Sequence, residues 1–172
     1  MASKNLFAWA SIDENGHARG GAAGDQTGKE VKVGYYYDFG QNVCVRFTNR
    51  FTRKAAAIIA AALAECDNIG YDQDQRGTLY ALAKANDWKI EKLLKALETK
   101  KVECDCSSFV ATVINLAFEY PKVSCFTTAT MLDNTVRKYP DDFKELSILE
   151  AEKKFYKGDM PLRPGHHVII NV

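Results

Sequence analysis

Glu103-Cys104-Asp105-Cys106-Ser107-Ser108 runs straight into Phe109-Val110-Ala111-Thr112-Val113-Ile114-Asn115-Leu116-Ala117-Phe118, and the fold turns on this passage. Its second half is apolar nearly all round, the pattern of a helix buried on every side. The polar residues in front of it are cap formers, so the helix starts at the cysteine. A cysteine there meets free backbone N–H groups and the positive end of the helix dipole, which favour thiolate over thiol. A neighbouring imidazole would lower the thiol pKa further and form the ion pair of a cysteine hydrolase. The same N–H groups would hold the oxyanion of a tetrahedral intermediate. Most unpaired cysteines are small buried hydrophobes, however, so Cys106 alone is weak evidence of chemistry.

Weight comes from a second stretch, Gly158-Asp159-Met160-Pro161-Leu162-Arg163-Pro164-Gly165-His166-His167-Val168-Ile169-Ile170, which holds two of the chain's three histidines. A turn delivers a histidine onto a β-branched strand expected over residues 166–172. Side chains alternate along a strand, so His167, Ile169 and Asn171 share one face while His166, Val168 and Ile170 share the other. Only one histidine can face the cysteine. His167 is the expected base and His166 the alternative, since a one-residue shift swaps the faces.

Outward from these motifs the chain alternates strand and helix patterns. Strands are expected over residues 6–12, 31–37 and 43–47, with a Gly-rich loop at residues 20–24. Helices are expected from a Thr52 cap to Cys66, over 77–84, over 88–97 and over 128–138, and a further strand over 143–148. With 172 residues and 47% hydrophobic composition, the chain fits one domain spanning 1–172. Lysine and arginine number 23 against 22 acidic residues, so no one-sign field suggests nucleic acid or a membrane as partner. The first ten residues lack the apolar core of a signal peptide, and the alanine-rich run at 55–64 is too short to span a bilayer. Five cysteines form an odd set, which argues for reduced thiols. Cys104 and Cys106 lack the second pair a zinc site needs, and no calcium-loop spacing occurs. No metal or cofactor is expected.

Asp-Cys-Ser-Ser opening a buried helix, followed by Gly-His-His-Val-Ile-Ile, resembles the NlpC-type and CHAP peptidases of the papain-like superfamily. Asn68-Ile69-Gly70-Tyr71 is similar to the segment that precedes their cysteine. Residues 23–31 and 70–73 look most like catalytic domains of endolysins from phages and prophages of Gram-positive bacteria. The resemblance implies an α+β papain-like fold, an antiparallel sheet packed against helices with the catalytic cysteine at a buried helix N-terminus. It implies Cys106 as nucleophile, His167 as base, and Tyr71, Asp105, Ser107 and His166 about the substrate. A third polar residue normally follows the histidine strand in these relatives, and here the sequence ends first. The N-terminal segment, pairing beside the last strand, is expected to supply Asp25 or Gln26, with His17 also in reach. Asp25, Gln26, Asp72 and Gln73 equally read as turn residues that bond their own backbone.

The activity implied is cleavage of an amide bond of bacterial peptidoglycan, either by an endopeptidase or by an N-acetylmuramoyl-L-alanine amidase. The expected route is from host cytoplasm to cell wall after holin-type release, with a wall-binding domain sought outside this chain. Two other classes stay open: a wall-binding or inhibitor module of the same fold without a competent site, and a cysteine hydrolase toxin acting on other amides.

Overall fold

A computed structural model describes residues 5–172. Strands β1 (Leu6–Ala10) and β2 (Val31–Tyr35) form an antiparallel pair that places Phe7 opposite Gly34. A Cβ on Gly34 would stand 2.4 Å from the Trp9 indole, so the bare glycine is what lets Trp9 lie across β2. Strand β3 (Val43–Phe47) follows, then helix α1 (Arg50–Ala64). Its cap is Asn49, whose side chain accepts from the Phe51 and Thr52 N–H groups, so the helix opens earlier than a Thr52 cap would place it.

Strand β4 (Ile69–Tyr71), helices α2 (Thr78–Ala85) and α3 (Ile90–Leu97), and strand β5 (Val102–Cys104) lead to helix α4 (Cys106–Phe118). Every residue of α4 from Cys106 to Leu116 is buried, as its all-round apolar pattern requires. Its four buried polar side chains are satisfied: Ser107 Oγ donates to Asp105 Oδ1, Ser108 Oγ accepts from Asp105 N–H, Thr112 Oγ1 donates to the Ser108 carbonyl, and Asn115 exchanges hydrogen bonds with the Val123 backbone. Burial without those partners would cost about 1–3 kcal/mol each.

Helix α5 (Met131–Asn134) is a single turn where a helix over 128–138 was expected. Asn134 Nδ2 and Thr135 Oγ1 bond the Thr130 and Met131 carbonyls, polar competition that apolar periodicity does not reveal. Strand β6 (Phe143–Ser147) is followed by helix α6 (Ile148–Lys153), capped by Ser147, and by strand β7 (Met160–Arg163).

The last expected strand is two. Strand β8 (His167–Val168) pairs with β7, whereas β9 (Ile170–Asn171) pairs with β1, so the chain changes sheets at Ile169. His167 and Asn171 therefore do not share one strand face. The sheets run β2-β1-β9 and β6-β3-β7-β8, both antiparallel, and β4 pairs with β5 in parallel. The architecture is mixed α+β, with antiparallel sheets packed against helices. The main core gathers around α4, which packs on α1 and α2 and touches β1, β5 and β8.

Candidate active site

Asp105 caps α4 by a capping box: its side chain accepts from Ser108 N–H while Ser108 Oγ accepts from the Asp105 N–H. This fixes Cys106 as the first helical residue, beside a cleft of about 250 Å³. Cys106 is 7% exposed, and that small fraction faces the cleft together with Arg19, Gln73, Arg76, Asp105, Ser107 and His166. The backbone N–H groups of Val168 and Ser107 lie near enough to its sulfur to favour the thiolate. The Val168 contact brings the strand that carries His167 alongside the thiol.

His167 lies mostly buried between rings. Phe39 meets it edge-on at 5.1 Å between centroids, and Tyr37 lies at 6.4 Å. Its Nε2 is buried with no hydrogen-bond partner. Burial pulls the imidazole down to about 4, against a smaller upward pull from the Asp105 charge. Burial likewise pushes the Cys106 thiol up to about 12, helped by Asp105 and opposed by the Val168 and Ser107 N–H groups and Arg76. Both shifts run against the thiolate–imidazolium pair that helix-end arguments led to. Desolvation outweighs the dipole here because the sulfur is nearly enclosed.

Arg76 is the residue that sequence reading missed. Its Nε donates to Asp105 Oδ2 at 2.5 Å, and its Nη2 donates to Ser107 Oγ at 3.0 Å and to the Phe126 carbonyl. It thus neutralises the carboxylate next to the thiol. Its only sequence signal is a lone cation just before α2, since its partners are far along the chain.

Tyr71 ends β4 opposite Cys104, buried, with its hydroxyl accepting from Gln73 Nε2. Burial, then the nearby Cys106 and Asp105 charges, outweigh that bond and push it up to about 12. His166 is exposed on the turn at the cleft rim. The structure does not bring Asp25, Gln26 or His17 to the imidazole. β1 does pair beside β9, but the loop that follows it folds on itself. Asp25 accepts N–H bonds from Thr27, Gly28, Lys29, Glu30 and Val31. The Gln26 amide donates to the Ala23 and Gly24 carbonyls, and His17 is held through its backbone by Asp13. Both loop residues expected in the catalytic group are therefore spent on backbone turns.

Behind Tyr71 the same loop meets buried acids. Glu30 accepts from the Gln26 and Tyr71 N–H groups, and Glu103 Oε1 accepts from Gly24 N–H at 3.0 Å. Glu103 Oε2 is buried without a partner. Burial, partly offset by the Gly24 bond and reinforced by Glu30, Asp72 and Glu14, pushes Glu103 up to about 7. Among the described residues no group of three or more His, Cys, Asp or Glu is arranged to hold a metal ion. No described helix is long and apolar enough to cross a membrane.

Comparison with curated proteins and with solved structures gives no match. A family model described as an endolysin-like domain matches residues 7–172, which takes in β1, the buried Cys106 helix and both histidines. By that match across almost its whole length, the chain belongs to the endolysin-like domain family.

Proposed function

We propose that residues 1–172 form a single papain-like catalytic domain, of NlpC-type or CHAP kind, that hydrolyses an amide bond of peptidoglycan through Cys106. Membership of the endolysin-like family suggests hydrolase activity on the bacterial cell wall. The observation that carries the thiol mechanism is the packing of β8, which holds His167 and Val168, against α4, which begins at Cys106.

In this mechanism the substrate carbonyl enters the cleft and the Cys106 S–H proton passes to the His167 imidazole as sulfur bonds to the carbonyl carbon. A neutral imidazole is the form that can take it. The oxyanion sits at the N-terminus of α4, near the Cys106 N–H. The tetrahedral intermediate collapses, the C–N bond breaks, and the His167 proton leaves on the amine. Water then attacks the thioester with His167 again as base, releasing the acid and restoring the thiol. His166, Tyr71, Ser107 and Asp105 shape the substrate side. The protein acts from the host cytoplasm on the wall, after a membrane lesion gives it passage.

Two observations favour a second reading. The raised thiol and the unpartnered Nε2 also suit a wall-binding module without turnover. The test is turbidity loss of purified walls with wild type and Cys106→Ala, followed by mass spectrometry of released fragments. Lysis by wild type alone supports the hydrolase, and new amino termini or free lactyl ends name the bond. Absence of lysis on several wall types, with binding retained, overturns it in favour of the module.

A further inference from the structure

We propose that an aromatic clamp of Phe39 and Tyr37 orients His167, a positioning role that a polar partner of the imidazole would otherwise fill. Both rings are then positioning residues. The inference rests on the reading of His167 as the base.

His167 Nε2 is buried with no hydrogen-bond partner. What touches the ring is aromatic. Phe39 meets it at 81° between planes, in the edge-to-face arrangement, and Tyr37 lies at 39°. Tyr37 packs on Phe39 at 5.4 Å and on Trp9 at 5.3 Å, so a row of rings runs from β1 to the histidine. Edge-to-face contacts have a preferred angle, which makes such a row a directional support rather than mere filling.

The loop bearing the two rings is itself pinned. Gln41 Oε1 accepts from Phe39 N–H at 2.8 Å, and Asp38 Oδ1 accepts from Gly40 N–H at 2.7 Å. Gly40 sits at φ +75°, a turn conformation that suits glycine. Arg163 Nη1 donates to the Phe39 carbonyl, and Arg163 is the residue paired opposite His167 between β7 and β8. One arginine thereby ties the clamp to the strand it clamps. Gln41 also donates to the Tyr36 hydroxyl, which donates to Glu152.

A clamp of rings differs from a polar partner in one measurable way. It keeps the imidazole dry, so removing a ring admits water and lets the histidine titrate nearer its ordinary value. A residue with a purely architectural role elsewhere would not move that titration.

The experiment follows the His167 Cε1–H resonance against pH in isotope-labelled full-length wild type, Phe39→Ala, Phe39→Tyr and Tyr37→Phe. Circular dichroism checks folding, and wall lysis gives kcat and KM. In Phe39→Ala the midpoint is expected to rise by roughly one pH unit or more, and kcat to fall about tenfold or more with KM little changed. Phe39→Tyr and Tyr37→Phe keep the rings and keep the wild-type midpoint. Should Phe39→Ala not fold, Phe39→Leu and Tyr37→Ala replace it in the same titration. An unmoved His167 midpoint in a folded ring-deletion variant overturns the clamp. If wild type cleaves no wall, the hydrolase reading falls separately, while the titration still decides whether the rings hold the imidazole.

Discussion

Glu103→Gln tests the buried acids with a sign that intuition about losing a native charge gets wrong. Glu103 is 1% exposed, and its pKa stands near 7 against an ordinary 4.5. Below pH 4.5 both folded and unfolded chains hold the proton, and the group contributes nothing to pH dependence. Between 4.5 and about 7 the unfolded chain gives it up while the folded chain keeps it, so stability falls as pH rises. At about 1.4 kcal/mol per pKa unit, the full deficit above pH 7 is about 3 kcal/mol. Glutamine retains an oxygen to accept from Gly24 N–H and ionises at no pH. Its amide stands where Glu103 Oε2 lies, at the crowded point where a Cβ on Gly70 would be 2.6 Å from the Gly24 carbonyl oxygen. The variant should match wild type near pH 4.5 and exceed it by up to about 3 kcal/mol at pH 8. Urea unfolding at pH 4.5, 6 and 8, with m compared between proteins, measures this directly. Other titrating groups are common to both chains and largely cancel in the difference. A difference independent of pH, or a variant less stable at pH 8, would refute the reasoning.

Other outcomes follow from the same geometry. Cys106→Ala should abolish wall lysis at an unchanged melting temperature, whereas Cys66→Ala and Cys125→Ala should keep it. His167→Ala should lower kcat by about 10² or more, while His166→Ala, at the exposed rim, should mainly raise KM; equal effects would reopen the choice of base. With burial holding His167 near 4, the acid limb of kcat/KM should fall near pH 4, as protonation below that value removes the base. A limb near 6.5 would show a solvated imidazole. Asp159 is fully buried and paired to Arg46 through both oxygens; Asp159→Asn leaves a buried guanidinium short of its counter-charge and should cost about 3–5 kcal/mol in urea unfolding.

The elements around the site were legible where local pattern suffices. The helix beginning at Cys106 follows from its cap and its all-round apolarity, and β1 to β3 follow from β-branched and aromatic runs. What stayed hidden is non-local. Arg76 gains its meaning from Asp105 and Phe126, neither of which marks it in sequence. Tyr37 reads as the end of a strand and Phe39 carries no reading at all, because nothing nearby in the chain shows that a histidine from β8 will lie against them. Asp25 presented two readings, a catalytic partner or an organiser of its own turn, and the hydrogen bonds of its loop favour the second. The break at Ile169 left no sequence mark either, since Val168, Ile169 and Ile170 suit one strand as well as two. Burial opposes the ionisation expected of Cys106, because helix-end electrostatics can be read from sequence whereas the depth of burial cannot.

The change of sheets at Ile169 also bears on how the molecule is made. β1 lies at one end of the described chain and its neighbour β9 at the other, joined by Phe7↔Asn171 and Ala8↔Ile170 and by Val172 N–H donating to Leu6. During synthesis the first strand leaves the ribosome long before its partner exists, and pairings this distant in sequence close slowly. His167 arrives in that same final segment. On the proposed reading, an unfinished chain carries the thiol without its histidine and is expected to stay inert until residues 167–171 are made and β9 has paired with β1.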